Sequence, residues 1–371
     1  MPQPLPAMPV APLLQQTGRT HVLHRGRKLI YFAGCDYFRL ASHPEILRAF
    51  HDGARKFGLN VAASRATTGN HALYVRLEKE LSGFFCTPRA ALFSNGYVTN
   101  MAFAQTFAGD YSHVLLDERS HGSLRDAATL LRCPELLFRH RDPRDLQRLL
   151  RGLSRRARPI VLTDGLFSHD GSMAPLPDYL SALPRHGLLL VDDTHGAGTL
   201  GRHGRGTAEQ LGASDARMIR SITLSKAFGV YGGAILASRS VVEAIQTRSR
   251  LFIGNTPPPL PLVNAALAAV RLLKTDRSLR TRLNANVSRL KNALRAAGWN
   301  APMLDSPAPI IPVVPRDTAH ARRLQRALLQ AGIYPPLIRY GSGGAYFRFV
   351  LSSEHTRTQL DRLAAVLITH P

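Results

Sequence analysis

The chain predicts an α/β fold, a large layered domain followed by a smaller α+β C-terminal domain, and three observations predict it. Short apolar runs alternate with stretches of helical spacing through the first two thirds of the sequence, the pattern of sheet layers covered by helices. Four of those runs end in clustered polar residues, as expected where a sheet gathers its chemistry at carboxyl strand ends. A proline cluster, Pro257-Pro258-Pro259-Leu260-Pro261, then interrupts regular structure and is followed by long helical segments.

Taken in order, the strand candidates are Ala90–Phe93, His113–Leu116, Ile160–Thr163, Leu188–Val191, Met218–Leu224 and Gly233–Ala237. Leu73, Leu77, Leu81 and Phe84 mark one intervening helix, and Leu146, Leu149, Leu150 and Leu153 another. Val263–Leu273 and Leu279–Ala297 read as helices leading into the second domain. That domain has strands at Ile310–Val314 and Tyr346–Leu351 and helices near Ala319–Ala331 and Thr356–Ile368. The expected division is an N-terminal segment over residues 1–44, a large domain over 45–262 and a small domain over 263–371.

At 371 residues and 44% hydrophobic content the chain can bury a large core. No apolar run approaches the roughly 20 residues of a membrane span. The start, Met1–Gln16, is punctuated by prolines and reads as a flexible arm and not as a signal peptide. Three widely spaced cysteines, Cys35, Cys86 and Cys133, suggest neither a disulfide framework nor a metal site, so a reducing cytoplasm is the default. The formal charge of +23 comes from dispersed arginines with no nucleic-acid motif. Compositional bias explains it, with attraction of an anionic partner as a refinement.

Lys226, in Thr223-Leu224-Ser225-Lys226-Ala227-Phe228-Gly229, stands 34 residues after Asp192 of Val191-Asp192-Asp193-Thr194-His195-Gly196. Apolar runs deliver both to strand ends. An amine and a carboxylate so placed suit pyridoxal 5'-phosphate, which needs an imine partner and an acid for its ring nitrogen. A solvated loop lysine is the plain alternative. Against it, the chain has six lysines and 42 arginines, and arginine replaces lysine in a surface ion pair but not in an imine.

From about Tyr31 to the C-terminus the residues resemble the α-oxoamine synthases, a branch of the fold-type I pyridoxal-phosphate enzymes. The resemblance is carried by Asp36-Tyr37 with Ala41-Ser42-His43-Pro44, by Phe93-Ser94-Asn95-Gly96-Tyr97 with Asn100, and by Ser120-His121-Gly122-Ser123. Gly165-Leu166-Phe167-Ser168-His169-Asp170-Gly171, the Asp192 and Lys226 segments, Gly204-Arg205-Gly206 and Phe347-Arg348-Phe349 complete it. It implies a large domain with a mixed, mostly parallel sheet. It also implies that Lys226 is the Schiff-base lysine and α-proton base, that Asp192 pairs with the pyridine nitrogen, and that His195 bonds the phenolic oxygen. His121 would stack on the ring, and Ser168 would bond the cofactor or touch the substrate. Gly96, Tyr97 and Thr223 would hold the phosphate, with Thr256 reaching the second subunit of an obligate homodimer. Arg348 would grip the substrate carboxylate through its bidentate fork.

The implied reaction is a decarboxylative condensation of an amino acid with an acyl thioester, on coenzyme A or an acidic carrier protein, to an α-aminoketone. An aminotransferase or an aldolase-type lyase on the same cofactor is the alternative. Departures fall on the substrate side: Cys35 stands where the family has asparagine, and Asn60-Val61-Ala62-Ala63-Ser64-Arg65 replaces a glycine-rich stretch. Cys35 and Ser64 are therefore candidate substrate residues. Tyr74 replaces a histidine, Asp164 a glutamate and His169 a methionine; His169 is either an added acid or base or a solvated loop residue.

Overall fold

A computed structural model describes residues 11–339 and 344–370. The first ten residues of the expected arm lie outside that range. The described residues form two compact units, one of residues 43–167 and 173–277, the other of 11–42, 168–172, 278–339 and 344–370.

The second of these units begins with an antiparallel meander of β1 (Gln15–Thr17), β2 (His21–His24) and β3 (Arg27–Ile30). None of the three was expected, because each is three or four residues long and only Val22, Leu29 and Ile30 are buried. Arg25 and Gly26, with φ of 49° and 74°, make the tight turn between β2 and β3.

The sheet of the first unit uses β4 (Arg89–Phe93), β5 (His113–Asp117), β6 (Glu135–Phe138), β7 (Pro159–Asp164), β8 (Leu188–Asp192), β9 (Met218–Thr223) and β10 (Gly233–Ala237). Their spatial order is β4-β10-β9-β8-β7-β5-β6, with β10 antiparallel to both neighbours and the remaining pairs parallel. This is the expected mixed, mostly parallel sheet. β6 was not expected; its residues Leu136 and Leu137 sit at an edge, with Leu137 half exposed.

Both faces of the sheet are covered. Val114, Leu116, Ile160, Leu162 and Leu190 face one core with Phe103 and Leu124, while Leu115, Val161, Leu189 and Val191 face another with Leu176 and Tyr179. The two-residue period of a strand therefore sends Asp164 and Asp192 toward the face covered by helices Gly96–Thr106 and Gly122–Leu130. The next residue, Asp193, goes the other way.

The helix Leu260–Thr275 belongs to this first unit, so the boundary falls at 277/278, away from the expected 262/263. Its apolar face lies on helix Pro44–Phe57 so closely that a Cβ on Gly53 would come 2.9 Å from the Asn264 Cβ. The other unit is completed by β11 (Ile310–Val313), β12 (Leu337–Ile338) and β13 (Tyr346–Val350), with β13 central and antiparallel to both. Helices Ser278–Ala296, Thr318–Gln330 and Arg357–Thr369 accompany them. Within that unit Lys291 is buried, its ammonium donating to the carbonyls of Met303, Ser306 and Ala308. No helix among the described residues is long and apolar enough to cross a membrane.

Gly233 opens β10 where a Cβ would come 2.7 Å from the Asn95 carbonyl carbon and 2.8 Å from the Gly96 nitrogen. Backbone cannot yield as a side-chain tip does. Gly233→Ala is expected to lower stability by about 1–3 kcal/mol, read as a lower urea midpoint at unchanged slope.

Candidate active site

The carboxyl ends of β7, β8 and β9 bring the chemistry of the first unit together. Asp164 and Asp192 are register partners on adjacent parallel strands, and both are buried. The Asp192 carboxylate accepts from the Asn100 Nδ2 at 2.7 Å and from the Thr194 backbone N–H at 3.1 Å. Asn100 lies one turn into helix Gly96–Thr106, on the face turned to the sheet, and its Nδ2 also donates to the Ser123 Oγ at 3.0 Å. Ser123 in turn lies 2.8 Å from the His121 Nδ1. A continuous polar chain thus runs from Asp192 through Asn100 and Ser123 to His121.

His121 caps helix Gly122–Leu130, and its own N–H donates to the Asp164 Oδ2 at 2.8 Å. Burial, reinforced by repulsion from Asp192, pushes the Asp164 carboxyl well above the usual carboxylate range. Desolvation lowers the His121 imidazole below its ordinary value, with Asp192 pulling it back up.

Lys226 sits in the loop of the β9–β10 hairpin, a loop closed by Leu224 N–H to Gly232 O and Val230 N–H to Leu224 O, both 2.9 Å. Its Nζ lies 2.7 Å from the Nε2 of His195, and His195 is buried three residues beyond Asp192. An amine, an imidazole and a buried carboxylate therefore occupy one strand-end cluster, as the spacing of the two motifs anticipated.

The helix Gly96–Thr106 begins beside this cluster. Asn95 caps it by accepting from the Val98 N–H at 3.0 Å, and a Cβ on Gly96 would come 2.9 Å from the Thr223 Cβ. Glycine lets the helix N-terminus close on β9, leaving main-chain N–H groups and the Thr223 hydroxyl around a site suited to an anion. Thr223 Oγ1 also donates to the Gly232 carbonyl at 3.0 Å. The Tyr97 hydroxyl donates to the Asp126 carboxylate, and its ring meets that of His121 edge-on at 6.1 Å.

The remaining candidates are dispersed. Ser64 uses its hydroxyl on the chain itself, donating to the Ile253 carbonyl and accepting from the Ala66 N–H. That is a loop-fastening role, different from the substrate contact expected of it. Arg65 beside it makes a bidentate pair with Glu78, Nη2–Oε2 3.0 Å, beneath the rings of Tyr74 and Phe252. Thr256 lines a recess with Arg65, Phe93 and Ser94. Cys35, Ser168 and Arg348 belong to the other unit. There the Arg348 Nη1 reaches the Ser168 carbonyl at 3.4 Å, Cys35 is a half-buried free thiol, and His169 pairs with Asp170 at 3.2 Å.

Sequence reasoning assigned no role to Asn100, Ser123, Asp164 or Asp193. The phase of helix Gly96–Thr106 carried the signal for Asn100, four residues after Gly96. The matching strand-end positions of Asp164 and Asp192 carried it for Asp164.

The donor set fits pyridoxal phosphate. A buried carboxylate suits a cationic ring nitrogen, a glycine-lined helix start suits a phosphate, and an accessible amine suits an aldehyde. Residues 29–367 match the family described as aminotransferase class I and II. The 8-amino-7-oxononanoate synthase of Thioalkalivibrio sulfidiphilus is 37% identical over 347 residues, spanning 92% of this chain and 88% of that one. Its namesake from Nitrosomonas europaea is 36% identical over 363 residues, spanning 96% and 93%. A serine palmitoyltransferase of S. paucimobilis, solved with a bound PLP–myriocin aldimine, superposes with a TM-score of 0.89 at 28% identity, covering 96% of this chain and 90% of its own. The 8-amino-7-oxononanoate synthase of Francisella tularensis gives 0.80 at 26%, covering 92% and 97%.

Asp164→Asn keeps an acceptor for the His121 main-chain N–H and is expected to cost under about 1 kcal/mol. Asp164→Ala strands that N–H and should cost about 1–3 kcal/mol, the two being compared by chemical denaturation.

Proposed function

The chain belongs to the aminotransferase class I and II family, and within it to the α-oxoamine synthases, and we propose that it condenses an amino acid with an acyl thioester, releasing carbon dioxide and an α-aminoketone. The observation that carries this is the Lys226 amine held 2.7 Å from His195, at the strand ends that also present buried Asp192. The reaction would be of the 8-amino-7-oxononanoate synthase type.

When bound, pyridoxal phosphate supplies an aldehyde for the amines and a ring that withdraws electrons from the α-carbon. Asp192 gives that ring nitrogen a carboxylate partner whose other lone pairs are taken by Asn100 and Thr194. Lys226 would be the amine that holds the aldehyde and, when free, the base for the α-proton. His195, 2.7 Å from the Lys226 amine, would orient it and donate to the phenolic oxygen. His121, oriented by Ser123 and with its imidazole lowered by desolvation, would lie against the ring face. Gly96, Tyr97 and Thr223 hold the phosphate. The sequence resemblance alone assigns Ser168 to the phenolic oxygen or the substrate and Arg348 to the substrate carboxylate.

The proposal extends to assembly and donor. Asn255-Thr256 is the segment that would reach a second subunit's phosphate, making the protein a homodimer. The net charge of +23 suits a polyanionic thioester carrier, coenzyme A or an acidic carrier protein. Ser64, fastened to Ile253, is left out of the substrate set, whereas Cys35 stays in it.

Two outcomes are expected. Reconstitution with pyridoxal phosphate gives a visible absorption band that Lys226→Ala lacks, and labelled carbon dioxide from alanine appears only when pimeloyl thioester or a chain-length analogue is present. Keto-acid formation without any thioester would replace this reading with an aminotransferase. Arg348→Lys should raise the amino-acid KM by roughly tenfold to a hundredfold, the equivalent of ~1.5–3 kcal/mol for a charged hydrogen bond, with cofactor affinity unchanged.

A further inference from the structure

Asp193 is fully buried and points to the opposite face of the sheet from Asp192. Its carboxylate accepts the Thr207 N–H at both oxygens, 3.1 Å and 3.0 Å, and the Thr207 hydroxyl at 2.7 Å. Three glycines make room for it. A Cβ would come 1.9 Å from the Asp193 Oδ2 at Gly206, 2.2 Å from its Oδ1 at Gly196 and 2.8 Å from that oxygen at Gly165. Gly206 also has φ +92°, a conformation that a larger residue resists. No residue but glycine at 196 or 206 leaves space for this carboxylate.

The main chain around Asp193 is pinned as well. Its N–H donates to Ser221 O on β9 at 2.9 Å, and its carbonyl accepts from Ala197 N–H at 2.8 Å. Arg220, the cation facing it, donates to the carbonyls of Arg205 at 2.8 Å and Phe85 at 2.9 Å, so it fastens the same 205–207 segment from behind. Asp192 is the other charge in range. Burial pushes the Asp193 carboxyl up to about 6, with Arg220 and Thr207 acting to lower it.

Resting on the functional reading above, we infer that Asp193 is a positioning residue: by clamping Thr207 it sets the 192–195 turn, and so the aim of Asp192 and His195 at the cofactor. The turn spans four residues, with the Asp192 carboxylate at its start and the His195 imidazole at its end. Its one deep side-chain anchor on the far face of the sheet is Asp193. A carboxylate fits this anchor because its Oδ1 takes the Thr207 hydroxyl while the Thr207 N–H is shared between both oxygens. An amide keeps one oxygen for the two donors and turns an N–H toward the Thr207 N–H or hydroxyl in place of the other.

The test uses the full chain with pyridoxal phosphate and compares the parent with Asp193→Asn and Thr207→Val. Cofactor dissociation constant, the pH midpoint of the cofactor's visible band, and the melting temperature without cofactor are measured for each. Expected for Asp193→Asn is a dissociation constant raised roughly tenfold, the scale on which outer partners of bound groups act, together with a displaced pH midpoint. Thr207→Val, which keeps the backbone N–H, should move both quantities the same way by less, and it carries the test if the first variant does not fold. Parental affinity and midpoint in both variants, whatever the melting temperature, would reduce Asp193 to a structural clamp and overturn the inference. A parent chain that develops no visible band overturns the functional reading first, and this inference with it.

Discussion

Keeping a carboxylate charged at the buried end of a parallel strand is the constraint around which the site is organised. An isolated buried charge is costly, so it must be hydrogen-bonded and matched. Asp192 receives one bond from Asn100 and one from the turn that follows it. Those two bonds dictate the phase of helix Gly96–Thr106 and the shape of residues 193–195. The same helix phase carries Gly96 onto Thr223 and so builds the anion site. The same turn carries His195 to Lys226. What remains for Asp192 in the proposed reading is a cation, which a protonated pyridine would supply.

The neighbouring acid shows how the electrostatics are kept in balance. Two carboxylates side by side at the ends of β7 and β8 would repel if both were charged. Burial and that repulsion push the Asp164 carboxyl well above the usual carboxylate range, and it serves as an acceptor for the His121 N–H. His121, Ser123 and Asn100 link the two acids through the His121 main-chain N–H and side-chain bonds, so both strand ends share one network.

The parallel core was legible because its strands are continuous apolar runs followed by polar clusters, and Leu188–Asp192 was bounded to within a residue. The gathering of Lys226, Asp192, His195 and His121 at the strand ends was legible because each follows such a run in a distinctive motif. The meander at the N-terminus was not, since three- and four-residue strands with one buried side leave no periodic trace. The 277/278 boundary was hidden because helix Leu260–Thr275 begins inside a proline cluster, yet proline at a helix start costs nothing there. The partner of the Ser64 hydroxyl was not legible, because it is a main-chain carbonyl 189 residues away that no local pattern encodes.

The placement of Lys226 on a hairpin, between a parallel strand and the single reversed strand of its sheet, bears on how this scaffold tolerates change in length. Crossovers elsewhere in the sheet pass through helices and loops that can absorb inserted residues without shifting the ladder. The loop from Leu224 to Gly232 has no such slack, because both ends are locked to each other by main-chain bonds. Added residues there would swing the amine away from its imidazole, so duplication or grafting belongs in the helical connections, and this loop is the part to leave intact when the scaffold is redesigned.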